Sequence, residues 1–139
     1  LLAGPATSAV GIDLADDALA AARDNLEAAG LSRRASLVTA DALDPAAWPA
    51  GTAGADLILA DPPWGSLHGS HATAAQVHSG LLRAAHAAAA PGARLVVLTH
   101  EVKVMDAAVR DAADLWRARE PVRVFAKGHH PRIWVLEKL

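Results

Sequence analysis

The sequence has no cysteine, no long hydrophobic run and no large excess of either charge. Without cysteine, disulfide scaffolds, thiolate zinc sites, iron–sulfur clusters and cysteine nucleophiles are excluded, and the composition fits the reducing cytoplasm. The formal net charge of −2 excludes a polycation that binds nucleic acid by bulk attraction. Any contact with phosphate groups therefore needs a local basic patch.

Membrane-spanning segments are not expected either. Arg83 and His86 interrupt the longest Leu/Ala run, and no stretch approaches the roughly 18 to 20 apolar residues that cross a bilayer. The chain begins Leu1-Leu2 without a Met or a basic segment, which is not typical of a signal peptide and predicts a longer protein upstream. With 139 residues, 53% of them hydrophobic, the composition predicts one ordinary folded domain over residues 1–139.

Short apolar runs typical of buried strands alternate with apolar residues at helical spacing. Strands are predicted at residues 8–13, 35–39, 56–60 and 95–98. A first helix is predicted from Asp16-Asp17, which can cap it, to Gly30, which ends it. A second is predicted over residues 73–90 and is closed by Pro91-Gly92, and a third over the segment that carries Met105 to Trp116. The tail predicts an antiparallel hairpin of residues 122–125 and 133–136. This order predicts an α/β fold with a doubly wound, mostly parallel sheet that ends in an antiparallel hairpin.

Three acidic residues, Asp13, Asp41 and Asp61, follow predicted strands. Ligands of doubly wound sheets lie beyond the carboxyl ends of the strands, so these acids predict one site. Asp13 is placed to accept hydrogen bonds from both ribose hydroxyls of a nucleoside cofactor, although the same carboxylate can simply cap the next helix. Asp41 and the Ala42 amide can bind an adenine edge, although an Asp in a turn is common.

The segment Asp61-Pro62-Pro63-Trp64 carries the strongest functional signal. Two prolines cannot continue a central strand, because each lacks the N–H donor, so the chain leaves the sheet there as a rigid loop. A planar exocyclic amine needs a carboxylate and a fixed carbonyl to accept its two hydrogens, and an aromatic face to hold the ring. The alternative is a proline-rich turn with a packed tryptophan. Because the motif follows an apolar strand and opens into Gly65, we favour the functional interpretation.

Several segments together resemble the class I S-adenosylmethionine-dependent methyltransferases that methylate exocyclic amines: residues 8–13, 20–30, 39–42, 56–65 and 131–136. The helix at 20–30 and the Asp-Pro-Pro-Trp-Gly loop are most similar to THUMP-associated RNA guanine-N2 methyltransferases. The resemblance implies a Rossmann-like fold, S-adenosylmethionine as cofactor, RNA from tRNA or rRNA as partner, and methylation of an exocyclic amine by a cytoplasmic enzyme.

The resemblance also implies a role for each candidate residue. The expected cofactor-binding residues are Asp13, Leu14, Asp41, Ala42 and Asp61. The expected catalytic residues, which would hold the target amine, are Asp61, Pro62, Pro63 and Trp64. The substrate is expected to contact Trp64, Gly65, His129 and Arg132. Such an enzyme needs no strong base, because positioning the amine against the methyl group does most of the work.

The sequence departs from this family at one place. It has no Asp-Pro-x-Cys-Gly-Ser-Gly-Thr-like loop, and Gly4-Pro5 does not replace that loop because it lies before the strand at 8–13. The usual first strand, which lies at the centre of the sheet, is therefore expected to be missing. Together with its loop and the following helix it would add roughly 20 residues upstream. We thus expect a methyltransferase domain truncated at its N-terminus, with two unpaired strand edges, that alone is marginally folded, binds cofactor poorly and is inactive.

Five histidines lie near the candidate loops: His68, His71, His78, His129 and His130. A zinc site on a helix needs two histidines at i, i+4 and a further ligand, and this pattern is missing, so no metal is expected. These histidines are interpreted as solvent-facing loop residues. Trp116 and Trp134 fit core positions in a helix and a strand.

Other functions remain open. A DNA adenine-N6 methyltransferase shares the Asp-Pro-Pro-Trp chemistry but would carry an insertion to contact the major groove. A non-catalytic or partner-binding module would explain the missing loop, although the intact segment at residues 61–64 argues against it. A nucleotide-dependent dehydrogenase ranks last, because a Gly-x-Gly-x-x-Gly turn is missing too.

Overall fold

The computed structural model describes residue 4 and residues 6–49, 52–63, 71–126 and 128–139, and the side chains of 71 and 72 are not described. The chain divides into two compact units, Leu1–Thr52 and Ala53–Leu139. None of the helices in these ranges is long and apolar enough to cross a membrane.

The first unit is a βαβ arrangement. Strand β1 (Ala9–Asp13) pairs in parallel with β2 (Ala35–Thr39), and α1 (Asp16–Ala28) connects them. The prediction that Gly30 ends the helix is confirmed: Gly30 has a φ of 69°, its N–H donates to the Glu27 carbonyl at 2.9 Å, and the Leu31 N–H donates to the Leu26 carbonyl at 2.8 Å.

The prediction that Asp16-Asp17 caps α1 is wrong. Ala15 is the N-cap residue and provides no side-chain hydrogen bond, while the two acids occupy the first turn. There they complement the positive end of the helix dipole. The Asp16 carboxylate instead accepts a hydrogen bond from the Thr39 hydroxyl at 2.8 Å, which joins the start of α1 to the end of β2.

The second unit contains a five-stranded sheet. Its strands are β3 (Ala55–Ala60), β4 (Ala89–Thr99), β5 (Trp116–Ala118), β6 (Val122–Arg123) and β7 (Arg132–Lys138). The order is β3-β4-β7-β5, with β6 also paired to β7. Strands β3 and β4 are parallel, and β7 is antiparallel to β4, β5 and β6. The α/β class, the parallel strand pairs and the C-terminal antiparallel hairpin are thus confirmed.

Helices α2 (His71–Ala88) and α3 (Val102–Asp111) supply the core of this unit together with the sheet. The buried apolar residues include Leu82 and Met105 from the helices and Leu95, Val97 and Leu136 from the strands. Alternate residues of β4 are buried, as expected for a sheet with one face against helices. The other face is more open, and Leu59 is 52% exposed.

Several element boundaries differ from the predictions, among them the end of β6, which lies at Arg123 and not at Phe125. Helix α2 ends at Ala88, and β4 begins at Ala89, so Pro91-Gly92 lies inside an irregular strand start where the β3–β4 register shifts. Helix α3 ends at Asp111, so placing Trp116 in a helix is wrong: it begins β5 and pairs with Lys138. Its predicted burial is confirmed, and its indole N–H donates to the Leu82 carbonyl at 3.0 Å.

Strands β1 and β3 each have one edge without a pairing partner among the described residues, as do β2, β5 and β6 on the opposite sides of the two sheets. Strand β1 pairs with β2 alone, and β3 pairs with β4 alone. The open edges of β1 and β3 are the two that the sequence predicts to be unpaired.

Candidate functional site

Asp13 ends β1 and is exposed at the turn into α1. Its carboxylate accepts a hydrogen bond from the Ala15 N–H at 2.8 Å, and its carbonyl accepts one from the Ala40 N–H at 3.0 Å. The next side chain, Leu14, is 68% exposed. The carboxylate therefore shapes the strand-to-helix turn and is accessible to a ligand from the same position.

Asp41 lies just beyond the end of the neighbouring strand β2. Its carboxylate accepts a hydrogen bond from the Leu43 N–H at 2.8 Å, and its carbonyl accepts one from the Trp48 indole at 3.0 Å. Ala42, between them, is half-buried. Because β1 and β2 are parallel and Asp13 pairs with Thr39, Asp13 and Asp41 follow the carboxyl ends of adjacent strands.

Trp48 stabilises the turn at Asp41, a role that the sequence analysis did not predict. Its indole anchors the Asp41 turn from seven residues downstream, and its side chain is half-buried. The only signal in the sequence is a large aromatic residue in a loop of small residues and prolines. A tryptophan in such a loop needs a partner for its N–H group, which the Asp41 carbonyl provides.

In the second unit, Asp61 follows β3 directly. Asp61 and Pro63 are exposed, whereas Pro62 is buried. A shallow depression of about 290 Å³ lies beside them, and its lining is Leu59, Ala60, Asp61, Val96, Leu98 and Ile133. Asp61 is thus the acidic member of an otherwise apolar surface. Trp64 and Gly65 lie outside the described residues.

The interpretation of His78 as a solvent-facing loop residue is wrong. His78 lies within α2 and is fully buried, where its Nδ1 donates to the Ala74 carbonyl at 2.7 Å and its Nε2 accepts from the Thr99 hydroxyl at 3.0 Å. The same hydroxyl accepts a hydrogen bond from the Glu101 N–H at 3.1 Å. Helix α2 is thereby tied to the carboxyl end of β4. No cluster of three potential metal ligands occurs within the described residues.

The β6–β7 hairpin places His129 and Arg132 at the end of the sheet where Asp61 lies. Strand β7 is antiparallel to β4 and begins with Arg132, which pairs with Thr99 at the end of β4. The His129 ring meets the His100 ring edge-on, with centroids 5.2 Å apart. The second unit therefore brings Asp61, His129 and Arg132 to one end of its sheet.

Comparison with known proteins identifies one family model and several solved structures that resemble this chain. The family model of the RMKL-like methyltransferase domain matches residues 3–132. TrmN from Thermus thermophilus is 31% identical, with a TM-score of 0.82 over 98% of this chain and 38% of its own. A search of curated proteins gave no match.

Two more distant solved structures share the fold. One, described as a putative rRNA-methylase from Clostridium thermocellum, is 12% identical, with a TM-score of 0.70 over 95% of this chain and 73% of its own. The other, cofactor-bound Rv0187 from MTB, is 20% identical, with a TM-score of 0.71 over 98% of this chain and 63% of its own. The present chain covers 38% of the TrmN chain, which is well under half of its length. Because the family model covers nearly all of its residues, the chain belongs to the RMKL-like methyltransferase domain family.

Proposed function

We propose that this chain belongs to an enzyme that transfers a methyl group from S-adenosylmethionine to an exocyclic amine of an RNA base, namely guanine N2 in tRNA or rRNA. The observation that carries the proposal is the exposed Asp61 directly after β3, followed by the buried Pro62. The 31% identity to TrmN, a structure that contains this fold within a longer chain, supports it.

The residues of the first unit fit the nucleoside part of S-adenosylmethionine. Asp13 and Asp41 present carboxylates at adjacent strand ends, where they can accept hydrogen bonds from ribose hydroxyls and from the adenine amine. Leu14 and Ala42 lie next to these acids and would pack against the same group. The methionine part would need further backbone donors, because this sequence has no glycine-rich loop after a first strand. When bound, the cofactor supplies a methyl group on a positively charged sulfur.

Asp61 and Pro62 are suited to hold the target amine. The Asp61 carboxylate would accept one N–H hydrogen bond and the Pro62 carbonyl the other. Because the lone pair of an exocyclic amine is delocalised into the ring, these two acceptors would draw the nitrogen toward tetrahedral geometry and direct its lone pair outward. Because Pro63 follows, Pro62 is restricted to extended backbone angles, which limits the direction of its carbonyl. Positioning then supplies most of the rate gain, and the proton leaves after the transfer.

Pro63, Trp64 and Gly65 would complete the base pocket. Pro63 is exposed beside Asp61, and Trp64 and Gly65 follow in the sequence. An aromatic face at Trp64 would stack on the target base, an interaction worth about 1–3 kcal/mol in proteins that bind single strands. His129 and Arg132 would contact the substrate outside this pocket.

The test is methyl transfer by the full-length protein, with radiolabelled S-adenosylmethionine and either total tRNA and rRNA or duplex DNA as acceptor. We expect methyl transfer to RNA and N2-methylguanosine in the nucleoside digest, and Asp61→Asn is expected to lower kcat by about 100-fold, in the range seen when one preorganised hydrogen-bonding group is removed. Asp56→Asn is the matched control, because Asp56 is an exposed acid near the other end of β3. Methylated adenine in DNA would favour the adenine-N6 alternative, and an unimpaired Asp61→Asn enzyme would refute the proposed role of Asp61.

A further inference from the structure

Two arginines lie directly opposite each other in the C-terminal hairpin. Arg123 of β6 pairs with Arg132 of β7. Like charges in direct cross-strand positions destabilise an antiparallel pair. The ion pair found in the described part of the sheet joins Arg119 to Glu137 and involves neither of these arginines. The Arg123–Arg132 pair is therefore unfavourable for the hairpin by itself, and an anion bound between the two guanidinium groups would relieve the repulsion.

An exposed aromatic pair follows the arginines. Phe125, the only phenylalanine in the chain, is 72% exposed, and its ring lies against that of His130 with centroids 5.4 Å apart and planes inclined by 56°. Two backbone hydrogen bonds join Ala126 and His129 beside the rings: the Ala126 N–H donates to the His129 carbonyl at 3.0 Å, and the His129 N–H donates to the Ala126 carbonyl at 2.9 Å. The hairpin thus displays two flat rings to solvent on a hydrogen-bonded turn.

These four residues, Phe125, His130, Arg123 and Arg132, form what we call the tip surface. It lies at the same end of the sheet as Asp61, since Arg132 pairs with Thr99 at the carboxyl end of β4. Strand β7 lies two strand spacings from β3 and β6 lies three, so the tip surface is roughly 10 to 14 Å from Asp61 across the sheet at ordinary strand spacing. That separation is too large for one base to occupy both places.

We propose that the tip surface binds single-stranded RNA beside the target nucleotide, with a base stacked on Phe125, the inclined His130 ring at the edge of that base, and a backbone phosphate between Arg123 and Arg132. This inference rests on the proposed function and extends it to a second substrate contact. Flat rings next to arginines are the chemistry by which proteins hold unpaired nucleotides. Since the net charge of the chain is −2, bulk attraction for phosphate is not available, and the arginine pair provides a local one.

The experiment measures binding of a fluorescein-labelled, mixed-sequence single-stranded RNA 12-mer to the full-length protein over a range of salt concentrations. Arg123→Gln is expected to lower affinity and to reduce the slope of log K against log salt by roughly 0.7, the loss of one phosphate contact, while Arg123→Lys keeps the slope. Phe125→Leu is expected to weaken binding about fivefold or more without changing the slope, while Phe125→Trp retains affinity.

Two matched controls accompany these variants. Arg83→Gln removes an exposed arginine from α2, and Val122→Ala trims a side chain of the same hairpin that is 57% exposed. Both are expected to bind the RNA like the parent protein. Circular dichroism melts of all variants check that the hairpin substitutions do not unfold the protein.

Calorimetry with S-adenosylmethionine on the same variants separates the two proposals. Weaker RNA binding with unchanged cofactor binding supports the tip surface. If Arg123→Gln and Phe125→Leu bind RNA as tightly as the parent, the proposed role of the tip surface is overturned and the proposed methyl transfer is left intact. A parent protein that binds cofactor but shows no salt-dependent RNA binding overturns the tip surface in favour of a protein partner. A parent that does not bind cofactor contradicts the proposed function, and the RNA titrations still decide the tip surface.

Discussion

The imidazole of His86, near the end of α2, is half-buried and meets the Trp116 ring edge-on at 5.6 Å. Burial lowers the pKa of His86 from its ordinary 6.5, the Lys138 ammonium lowers it further, and Asp114 acts in the opposite direction. Between the lowered value and 6.5 the unfolded chain binds more protons than the folded one, so His86 stabilises the fold less as pH falls through that window.

We therefore expect His86→Gln to flatten the pH dependence of stability on the acid side of neutrality. The measurement is the urea midpoint of the parent and the variant between about pH 7.5 and about pH 5.5. The variant also loses the ring contact with Trp116, so the change with pH, and not the stability at one pH, is the test. Lys138→Met is expected to reduce the dependence too, because it removes a charge that lowers the pKa of His86. Identical pH profiles for parent and His86→Gln would contradict the assignment.

The positions of individual polar residues were predictable when they depend on local sequence. Asp13 and Asp61 come at the ends of apolar runs, and the strands β1 and β3 end at or directly before them. His78 was not predictable, since its burial depends on Thr99, a hydroxyl 21 residues away in sequence. Phe125 was placed in a strand because it is apolar, yet β6 ends at Arg123 and the ring is exposed.

Helix α2 and strand β4 are joined by the buried chain of hydrogen bonds from His78 through Thr99 to the Glu101 N–H. Thr99→Val preserves the shape of the side chain but removes the hydroxyl, so His78 and the Glu101 N–H both lose this partner. A buried polar group that loses its partner costs about 1–3 kcal/mol, and we expect Thr99→Val to lower the free energy of unfolding by about 2 kcal/mol or more.

Thr99→Ser is the matched control for this prediction. Serine keeps the hydroxyl and loses one buried methyl group, which costs about 0.8 kcal/mol. Urea denaturation of both variants gives the comparison. If Thr99→Val is as stable as Thr99→Ser, the hydrogen bonds do not stabilise the junction between α2 and β4.

Element types were predictable from periodicity, whereas several boundaries were not. Met105, Ala108, Ala112 and Trp116 recur at helical spacing, so the pattern extended the helix to Trp116. In the structure α3 ends at Asp111, and Trp116 pairs with Lys138 of β7 instead. Strand pairing over 22 residues of sequence outweighs local periodicity here, because it buries Trp116 and gives its indole N–H a partner in α2.

At the scale of the whole molecule, the strands form two sheets instead of one. The sequence predicted the α/β class and the terminal hairpin correctly, because both follow from the order of apolar runs and turns. It also predicted two unpaired edges, and among the described residues β1 and β3 have such edges. An unpaired strand edge exposes backbone N–H and C=O groups that another strand can satisfy.

We predict that this 139-residue chain binds S-adenosylmethionine at least about tenfold more weakly than a version extended upstream in the native reading frame. In the proposed site Asp13 and Asp41 would supply contacts for the nucleoside part alone, and one additional hydrogen bond to a charged group is worth about 1.5 kcal/mol or more, a factor of roughly ten. An added strand would also pair an open strand edge, so the extended chain is expected to unfold at a higher temperature.

Isothermal calorimetry and melting curves with and without the cofactor make this comparison, and Asp13→Ala in the extended chain is the control for the site. Loss of binding in that variant would show that the extension completes the site at Asp13 instead of creating another one. Equal affinities for the two chains would mean that the present residues hold the whole cofactor and that a glycine-rich loop is dispensable. If neither chain binds, the strand-end acids Asp13 and Asp41 do not form the cofactor site, and their hydrogen bonds to Ala15 and Leu43 then serve the turns alone.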